Sequence, residues 1–456
     1  MTRLQQLNAT RIDTALHVFA LLALLLLAAQ SLDRRELDSA EAVHAVVLLA
    51  PLDGGPVPLF AAQPAHAVLR AFSFIAGATE RSLRIPCVFA LLLAAILCAS
   101  IAHKLFGPRG RAAALLCYGI SGFIVHSARL DAETLGVVPV ALLAGLLLPA
   151  PRHAGWNCAA LVGALLTPLL AAQLHIVVLV LAVFCALGVG SARRAPALGV
   201  ALLLALHVPW ALGAVPLWAQ LAAAPEGTAG LTHLLAGSDT APYFGATCLA
   251  LACSTFALSE LWSNPRALLP VCLGLLLLAC TATASGGLQW SGGRFAALLP
   301  LASLLFAFSL SAATPRAARW ALLLTLLLCL WMASGLTGGG TTLAAKRAAD
   351  PLRSVLQAAR MEGASGGRLI LAGPDRFALL YYSRRGHDPG MPVLLCPEDV
   401  TAAELAPRMK YALGMLPGSA KAPPVLLWPA DAVKTPGLHQ TTLPGVGLVL
   451  LQAERD

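Results

Sequence analysis

The chain has 456 residues, of which 58% are hydrophobic and only 12% are charged, and its formal net charge is +9. Soluble domains carry roughly 25% charged residues, so this composition excludes an ordinary soluble domain. Apolar stretches of about 20 residues recur along the first three quarters of the chain, and this is the length needed to cross about 30 Å of hydrocarbon. The composition therefore predicts a polytopic α-helical membrane protein.

Eleven transmembrane spans are predicted, with two larger regions outside the membrane. The first span has no small-residue cleavage site, so it is interpreted as a retained helix rather than a signal peptide. The predicted organisation is a transmembrane module at 1–339, which includes a first outer loop at 33–83, followed by a C-terminal extracytoplasmic domain at 340–456. The predicted spans are 13–32, 84–103, 111–127, 131–150, 156–172, 174–190, 196–217, 244–262, 267–284, 295–313 and 320–337.

The basic residues alternate along the chain in the way that the positive-inside rule requires. If the N-terminus is cytoplasmic, Asp13 is the only acidic residue in the cytoplasmic segments. The loops at 33–83 and 340–456 then both lie on the outer face of a multi-pass protein. This topology explains the positive charge, so no nucleic-acid partner is predicted. The basic residues of the cytoplasmic connections are Lys104, Arg109, Arg111, Arg152, Arg193, Arg194, Arg266, Arg316 and Arg319.

The first outer loop is patterned as two helices. The stretch "SAEAVHAVVLLAP" predicts a short interfacial helix, for which Asp38 or Ser39 is a suitable N-cap. The stretch "AHAVLRAFSFIAG" predicts a second helix that lies on the membrane. Two surface helices are more than a simple connection between spans requires.

The tail alternates short β-type runs with a helical segment, which predicts a small α/β domain. The runs are Leu369–Ala372 and Val393–Cys396, and the helical segment lies around Asp375–Ser383. The stretches "APPVLLWPADAV" and "GVGLVLLQAE" predict further strands.

An ordered series of motifs runs through the first 150 residues, and one further motif of the same kind precedes a later span. Asp38 follows the first span, and Gln63-Pro64 precedes the second surface helix. The stretch "GATERSLRIP" leads into the second span, and "LFGPRGR" follows that span. The stretch "SARLDAE" leads into the fourth span, and Arg294-Phe295 with Pro300 leads into the tenth. This order resembles the membrane-embedded GT-C glycosyltransferases, in the branch of bacterial aminoarabinose transferases and protein O-mannosyltransferases, the family 39-like bacterial glycosyltransferases.

The resemblance implies an integral glycosyltransferase of the bacterial inner membrane, a hexosyl- or pentosyltransferase. Its donor would be a sugar linked through phosphate to a polyprenyl lipid, and its acceptor a lipid, a protein or a glycan on the outer, periplasmic face. Two alternatives remain open. A non-catalytic subunit that binds lipid carriers is one, because Ser39 and Gln63 stand where the family often has an acidic and a basic residue. A membrane transporter is the other.

A carboxylate base is required if a neutral hydroxyl acceptor attacks the anomeric carbon. Asp38 is the first candidate for this catalytic role, and its alternative role is the N-cap of the following helix. Glu41 lies one helical turn further on and is a second candidate, although it could instead complete a capping box. A single base without a covalent intermediate implies inversion at the anomeric carbon.

Asp131 and Glu133 are further catalytic candidates, because carboxylates at membrane depth are costly and usually have a partner or a task. Their alternative is a solvated loop in which Arg129 pairs with Asp131. A divalent cation, Mg²⁺ or Mn²⁺, bridging Asp38 and Asp131 is a further hypothesis, since such ions prefer oxygen ligands.

Arginines at the outer ends of spans are candidates for binding the donor phosphate. They are Arg294, Arg84 and Arg129. Snorkelling to the lipid headgroups is the alternative, since it is common for arginine at helix ends. For Arg84, pairing with Glu80 is also considered.

Overall fold

A computed structural model describes part of this chain. The chain forms two compact units: Met1–Arg34 with Pro58–Ala345, and Arg35–Val57 with Lys346–Asp456. The described residues are 3–32, 37, 39–49, 64–77, 79–120, 132–148, 154–170, 199–203, 205, 299–312, 318–327, 369–371, 380–382, 393–395, 425–429, 438–443 and 448–453.

Helices dominate the first unit, and each of them covers a segment that the sequence predicts as a span or a surface helix. Predicted spans 174–190, 244–262 and 267–284 lie outside the described residues. Among the described residues the longer helices are α1 Arg3–Leu32, α2 Ser39–Leu49, α3 Pro64–Ala76, α4 Glu80–Ile120, α5 Val137–Leu143, α6 Ala154–Leu170, α7 Leu299–Ala312 and α8 Ala318–Leu327. Of these, α2 belongs to the second unit.

The helix α4 is a hairpin of two arms rather than one rod. Gly107 interrupts it with φ 78° and ψ −167°, a conformation that only glycine adopts readily. Pro108 then begins the second arm, where a missing N–H costs no hydrogen bond. Cys98 Sγ lies 3.7 Å from the Tyr118 hydroxyl, so residues nearly equidistant from Gly107 meet across the hairpin. The break falls between the predicted spans 84–103 and 111–127.

Small side chains let the two arms of α4 and their neighbours approach closely. A Cβ atom on Gly110 would lie 2.6 Å from Phe106 Cβ and 2.9 Å from the Ala102 carbonyl oxygen. The helices α1, α3, α5 and α7 all pack against α4. Close packing through small residues is typical of helices in membranes. The buried small residues of α4 include Ala94, Ala95, Cys98, Ala102, Ala112, Ala113 and Ala114.

Many large apolar side chains are exposed among the described residues of the first unit, as is expected for helices that face lipid. Along α4, exposed Ile85, Phe89 and Ile96 lie between exposed Arg81 and exposed His103. Those two polar ends are separated by about 33 Å at a helical rise of 1.5 Å per residue, close to the thickness of the hydrocarbon core. Among the described residues, one helical stretch, Glu80–Gly119, is long and apolar enough to cross a membrane, and it comprises both arms of α4.

The predicted span 131–150 is the least regular of the described helices. The helix α5 is flanked by 3₁₀ turns at Ala132–Gly136 and Ala144–Leu147. Leu148 has φ −71° and ψ 140°, which ends the helix. The cause is the proline that follows it in the sequence, since the residue before proline avoids the helical conformation.

A five-stranded mixed sheet forms the described part of the tail. Its strands are β1 Leu369–Leu371, β2 Val393–Leu395, β3 Val425–Pro429, β4 Leu438–Leu443 and β5 Leu448–Ala453. They lie in the order β2-β1-β3-β5-β4, and β1 is parallel to both of its neighbours, whereas β5 is antiparallel to both of its own. Strands occur in all four predicted segments, while β4 was not predicted. The α/β domain as a whole stays a prediction.

Candidate functional site

The first turn of α4 carries the motif "GATERSLRIP" and is fixed by its cap. Thr79 Oγ1 accepts a hydrogen bond from the Ser82 backbone N–H at 3.1 Å, and the Thr79 carbonyl accepts one from the Leu83 N–H at 2.9 Å. Thr79 is therefore the N-cap, and Glu80 follows in the first turn, where a negative charge is favourable. The cap sets the rotation of the helix and hence the direction of the residues after it.

Arg84 lies one turn inside this cap and is fully buried, with 0% of its surface exposed. Its position excludes snorkelling to the headgroups. A buried guanidinium is costly unless other groups bind it, and Arg84 has polar or ionic partners in the structure. Arg84 is thus a cation held inside the protein, not one that extends into the membrane surface.

The helix α3 exposes an apolar side, and its buried side combines the polar His66 and Ser73 with the apolar Ala65 and Leu69. On the exposed side, Phe74 and Ile75 are 82% and 84% exposed. A helix with this arrangement fits the boundary between a protein interior and a lipid surface. This supports the sequence prediction of a second helix that lies on the membrane.

The 3₁₀ turn Ala132–Gly136 packs against both α3 and α4. Thr134 in this turn is fully buried and has a polar partner. The backbone of Glu133 belongs to the same turn, but its side chain lies outside the described residues, as do Asp131 and Arg129. The structure therefore brings the segment of the second acidic motif against the two helices that bury His66 and Arg84.

The segment of the first acidic motif is held by the tail. The backbone N–H of Leu37 donates a hydrogen bond to the Tyr382 hydroxyl at 2.7 Å. Leu37 immediately precedes Asp38 in the sequence, and α2 begins directly afterwards at Ser39. Glu41 is buried in α2 and has a partner in the structure. Asp38 itself lies outside the described residues.

The candidate residues belong to different units, and each unit is described by itself. The first unit supplies Arg84 and the turn that contains Glu133, and the second supplies Glu41 and the attachment of Leu37. Arg294 lies outside the described residues. No group of three or more potential metal ligands occurs among the described histidine, cysteine and acidic residues. The hypothesis of a cation between Asp38 and Asp131 stays a prediction.

Two of the residues described above, Tyr382 and His66, were not predicted from the sequence as site residues. Tyr382 was missed because the tail shows no catalytic motif; the only signal is an aromatic pair in a helical segment, whose rings lie 5.0 Å apart. His66 is buried on α3, the helix that packs against the helix of Arg84. A histidine on the buried face of an otherwise apolar surface helix is the signal that could have drawn attention to it.

A separate charged cluster lies around Asp13 in the first unit. Arg319 Nε donates a hydrogen bond to Asp13 Oδ1 at 3.3 Å, and Arg109 Nε lies 3.6 Å from Oδ2. The sequence assigns all three residues to one face of the membrane. The helix α1 at Asp13, the turn of α4 and the start of α8 thus meet in the first unit.

The fold of the chain is similar to that of solved structures of the GT-C type, the fold that the sequence predicted. The chain is similar in structure to ArnT from Cupriavidus metallidurans in the apo state, with 15% identity, a TM-score of 0.62, and coverage of 95% of this chain and 97% of that one. ArnT is an aminoarabinose transferase.

A second structure of the same ArnT, bound to undecaprenyl phosphate, gives 14% identity and a TM-score of 0.62 over the same shares of both chains. An oligosaccharyltransferase from Archaeoglobus fulgidus, tethered to an acceptor peptide, gives 11% identity and a TM-score of 0.49, with coverage of 90% and 69%. No protein-family model and no curated protein sequence matches the chain.

Proposed function

We propose that this protein is an integral-membrane glycosyltransferase that moves a sugar from a polyprenyl-phosphate carrier to an acceptor. The observation that carries the proposal is the likeness of fold to ArnT over nearly the whole of both chains. ArnT has been crystallised with undecaprenyl phosphate, so this fold accommodates a polyprenyl phosphate in at least one protein. The reaction would occur at the periplasmic face of the bacterial inner membrane, where the outer loop 33–83 and the tail are assigned.

The part of the proposed site that would bind the lipid carrier is assigned to α3 and to the beginning of α4. The exposed Phe74 and Ile75 provide an apolar surface, and the buried Arg84 and His66 provide a polar interior. A lipid with a phosphate headgroup needs both environments within a short distance. Arg84, Arg129 and Arg294 are proposed to bind the donor phosphate, because guanidinium groups form paired hydrogen bonds with phosphate oxygens.

The acid–base side of the proposed site is assigned to the acidic motifs. Asp38 takes the proton of the acceptor hydroxyl as the acceptor oxygen bonds to the anomeric carbon. The bond from that carbon to the phosphate oxygen breaks at the same time, and the departing polyprenyl phosphate takes the electron pair. Arginine side chains stabilise the negative charge that develops on it. Attack from the opposite face gives inversion.

The contact between Leu37 and Tyr382 supports the choice of Asp38 as the base. A general base must be held at a defined place, and the residue next to Asp38 is fixed by a 2.7 Å hydrogen bond from the tail. Glu41, Asp131 and Glu133 are proposed to orient the acceptor or the donor. Asp38 and Asp131 would also hold a divalent cation, which, when bound, supplies positive charge to the departing phosphate.

The test is sugar transfer by membranes that contain the full-length protein, with a set of labelled polyprenyl-phosphate sugars. Asp38→Asn is expected to lower transfer by about a hundredfold or more, the contribution typical of a general base. Binding of the lipid carrier should be retained, because the substitution keeps the size of the side chain. Asp53→Asn, in the same outer loop, is the matched control and should leave transfer unchanged.

Two outcomes would contradict the proposal in different ways. Unchanged transfer by Asp38→Asn would remove the base assignment but keep the enzyme class. Binding of the lipid carrier without transfer from any donor, by the unsubstituted protein, would favour the non-catalytic subunit.

A further inference from the structure

The cluster around Asp13 has no part in the proposed reaction. Asp13 is nearly buried, with a side-chain exposure of 10%, and both of its oxygens are occupied by guanidinium nitrogens, at 3.3 Å from Arg319 and 3.6 Å from Arg109. One carboxylate therefore holds two arginines from distant parts of the chain beside each other. The three charges leave the cluster with a net charge of about +1, since arginine stays protonated in proteins.

The terminal nitrogens of both arginines are available to a ligand. Each side chain contacts Asp13 through Nε, and neither arginine has another partner within the part of the chain that the structure describes. Both side chains are 26% exposed, so they are accessible from outside the protein. An arginine has five N–H donors in a fixed fork, and four of these remain on each when Nε is engaged. Two such forks side by side match the oxygens of a phosphate.

The surroundings of the cluster are basic. His17 lies one turn after Asp13 on α1, and it is close enough to Arg111 and His103 to interact with them electrostatically. Arg11 lies two residues before Asp13 and is exposed. Asp13 is the only acidic residue in α1, in the second arm of α4 or in α8. The local field therefore favours an anion.

The position of the cluster along the helices corresponds to the headgroups of one leaflet. On α4, exposed Arg81 and exposed His103 bound the apolar stripe, and Arg109 follows His103 at the turn. Trp320, the residue after Arg319, is 71% exposed. Tryptophan concentrates where hydrocarbon meets the headgroups. The large exposed residues Leu323 and Leu324 continue from Trp320 along α8 and offer an apolar surface to acyl chains.

We propose that Arg109 and Arg319, held by Asp13, bind the phosphate of an anionic phospholipid in the leaflet at this end of the first unit. The adjoining apolar surface favours a lipid over a free anion. Basic sites between transmembrane helices bind anionic headgroups by the same combination of charge and apolar contact. The bound lipid would tie α1, α4 and α8 together, since the cluster draws one residue from each.

The proposal is distinguishable from a purely structural ion pair, because the two differ in the effect of Asp13→Asn. A structural ion pair loses its stabilisation when the carboxylate is removed, and added lipid does not restore it. A lipid site gains positive charge from the same substitution, so an anionic lipid should stabilise Asp13→Asn more than the unsubstituted protein. A ligand stabilises a fold in proportion to the logarithm of its concentration over its dissociation constant.

The experiment uses the full-length protein in a neutral detergent, with phosphatidylglycerol, phosphatidylethanolamine or inorganic phosphate added. Retention of each lipid is measured by native mass spectrometry, and the shift in unfolding temperature is measured in parallel. Phosphatidylglycerol is expected to bind at least tenfold more tightly than phosphatidylethanolamine. Arg109→Gln and Arg319→Gln should each weaken its binding about tenfold, whereas Arg11→Gln, a basic residue of the same helix end outside the cluster, should not.

Several results would overturn the proposal. Equal binding of the two lipids, or full retention of phosphatidylglycerol by both cluster variants, would remove the site. An equal loss in Arg11→Gln would show a diffuse attraction to positive charge. Stabilisation by inorganic phosphate equal to that by the lipid would show an anion site without a lipid. If the arginine variants do not fold, Asp13→Asn decides: a smaller lipid-induced shift than in the unsubstituted protein contradicts the proposal.

Discussion

Two arginines three residues apart in α4 have opposite environments. Arg84 is fully buried, and Arg81 is exposed. Because removing one member of a buried charged interaction leaves its partner stranded, Arg84→Gln is expected to lower the free energy of unfolding by about 3–5 kcal/mol. Arg81→Gln is the matched control and should change it by about 0.5 kcal/mol or less. Thermal unfolding of both variants in detergent measures the difference, and equal unfolding temperatures would contradict the burial of Arg84.

Tyr382 supplies a second prediction at this scale. Its hydroxyl accepts the Leu37 N–H at 2.7 Å, and Tyr382→Phe would leave that buried donor without its partner. The cost of such a loss is about 1–3 kcal/mol. Hydrogen exchange at the Leu37 amide should therefore accelerate about tenfold or more. Tyr381→Phe, which removes the neighbouring hydroxyl, is the comparison. Unaltered protection of Leu37 in Tyr382→Phe would contradict the contact.

The sequence indicates which residues are candidates for the site, but it does not show whether each one is buried or which residues it contacts. Arg84 was predicted at the outer end of a span, and it lies one turn inside α4. The sequence could not show that it is buried rather than snorkelling, since burial depends on the packing of its neighbours. The attachment of Leu37 could not be predicted because its partner is 345 residues away. Asp13, by contrast, stood out in the sequence as the only acidic residue among basic segments.

The hairpin of α4 is the element on which the other helices pack, and its turn depends on one residue. Gly107 has φ 78° and ψ −167°, and an L-residue in this region is strained by about 1–3 kcal/mol. Gly107→Ala should therefore destabilise the protein by that amount, although a Cβ atom at this position would meet nothing within 4 Å. Gly155→Ala in α6 also meets no neighbour and has no positive φ, so it should be neutral or stabilising. A stable Gly107→Ala variant would contradict the hairpin geometry.

The exposed apolar side of α3 predicts direct contact with lipid. A photoreactive phenylalanine analogue at Phe74 should form adducts with phospholipid in membranes, because that side chain is 82% exposed. The same analogue at the buried Leu69 should crosslink within the protein instead. Mass spectrometry of the crosslinked products separates the two outcomes. If the analogue at Phe74 reacts with water and forms no lipid adducts, this face of α3 lies in solvent and the prediction is wrong.

The elements recovered from the sequence are those with strong local signals. The helices α1 to α4 follow apolar runs or amphipathic patterns, and the turn at Gly107 follows from glycine and proline. The strand β4 was missed because "LHQTTL" is short and largely polar, and it becomes a strand by pairing with β5. The 3₁₀ turns beside α5 were missed because an apolar run shows the presence of a helix but not its regularity.

At the scale of the whole molecule, the sequence resemblance and the fold agree. The ordered motifs predicted a GT-C fold, and the likeness to ArnT covers 95% of this chain. The sequence identity between this chain and ArnT is only 15%, so the order of the motifs along the chain indicates the fold better than any single residue does. The grouping of Arg35–Val57 with the tail comes from contacts between residues far apart in sequence, so no local pattern could reveal it.

The central claim is that the protein binds a polyprenyl phosphate. The most direct test is mass spectrometry of the lipids that remain bound to the full-length protein after purification, with undecaprenyl phosphate added in one arm. A polyprenyl phosphate should be retained by the protein, and Arg84→Lys should weaken its retention. A protein that retains phospholipids alone, and that does not bind undecaprenyl phosphate even when it is added in excess, would contradict the claim.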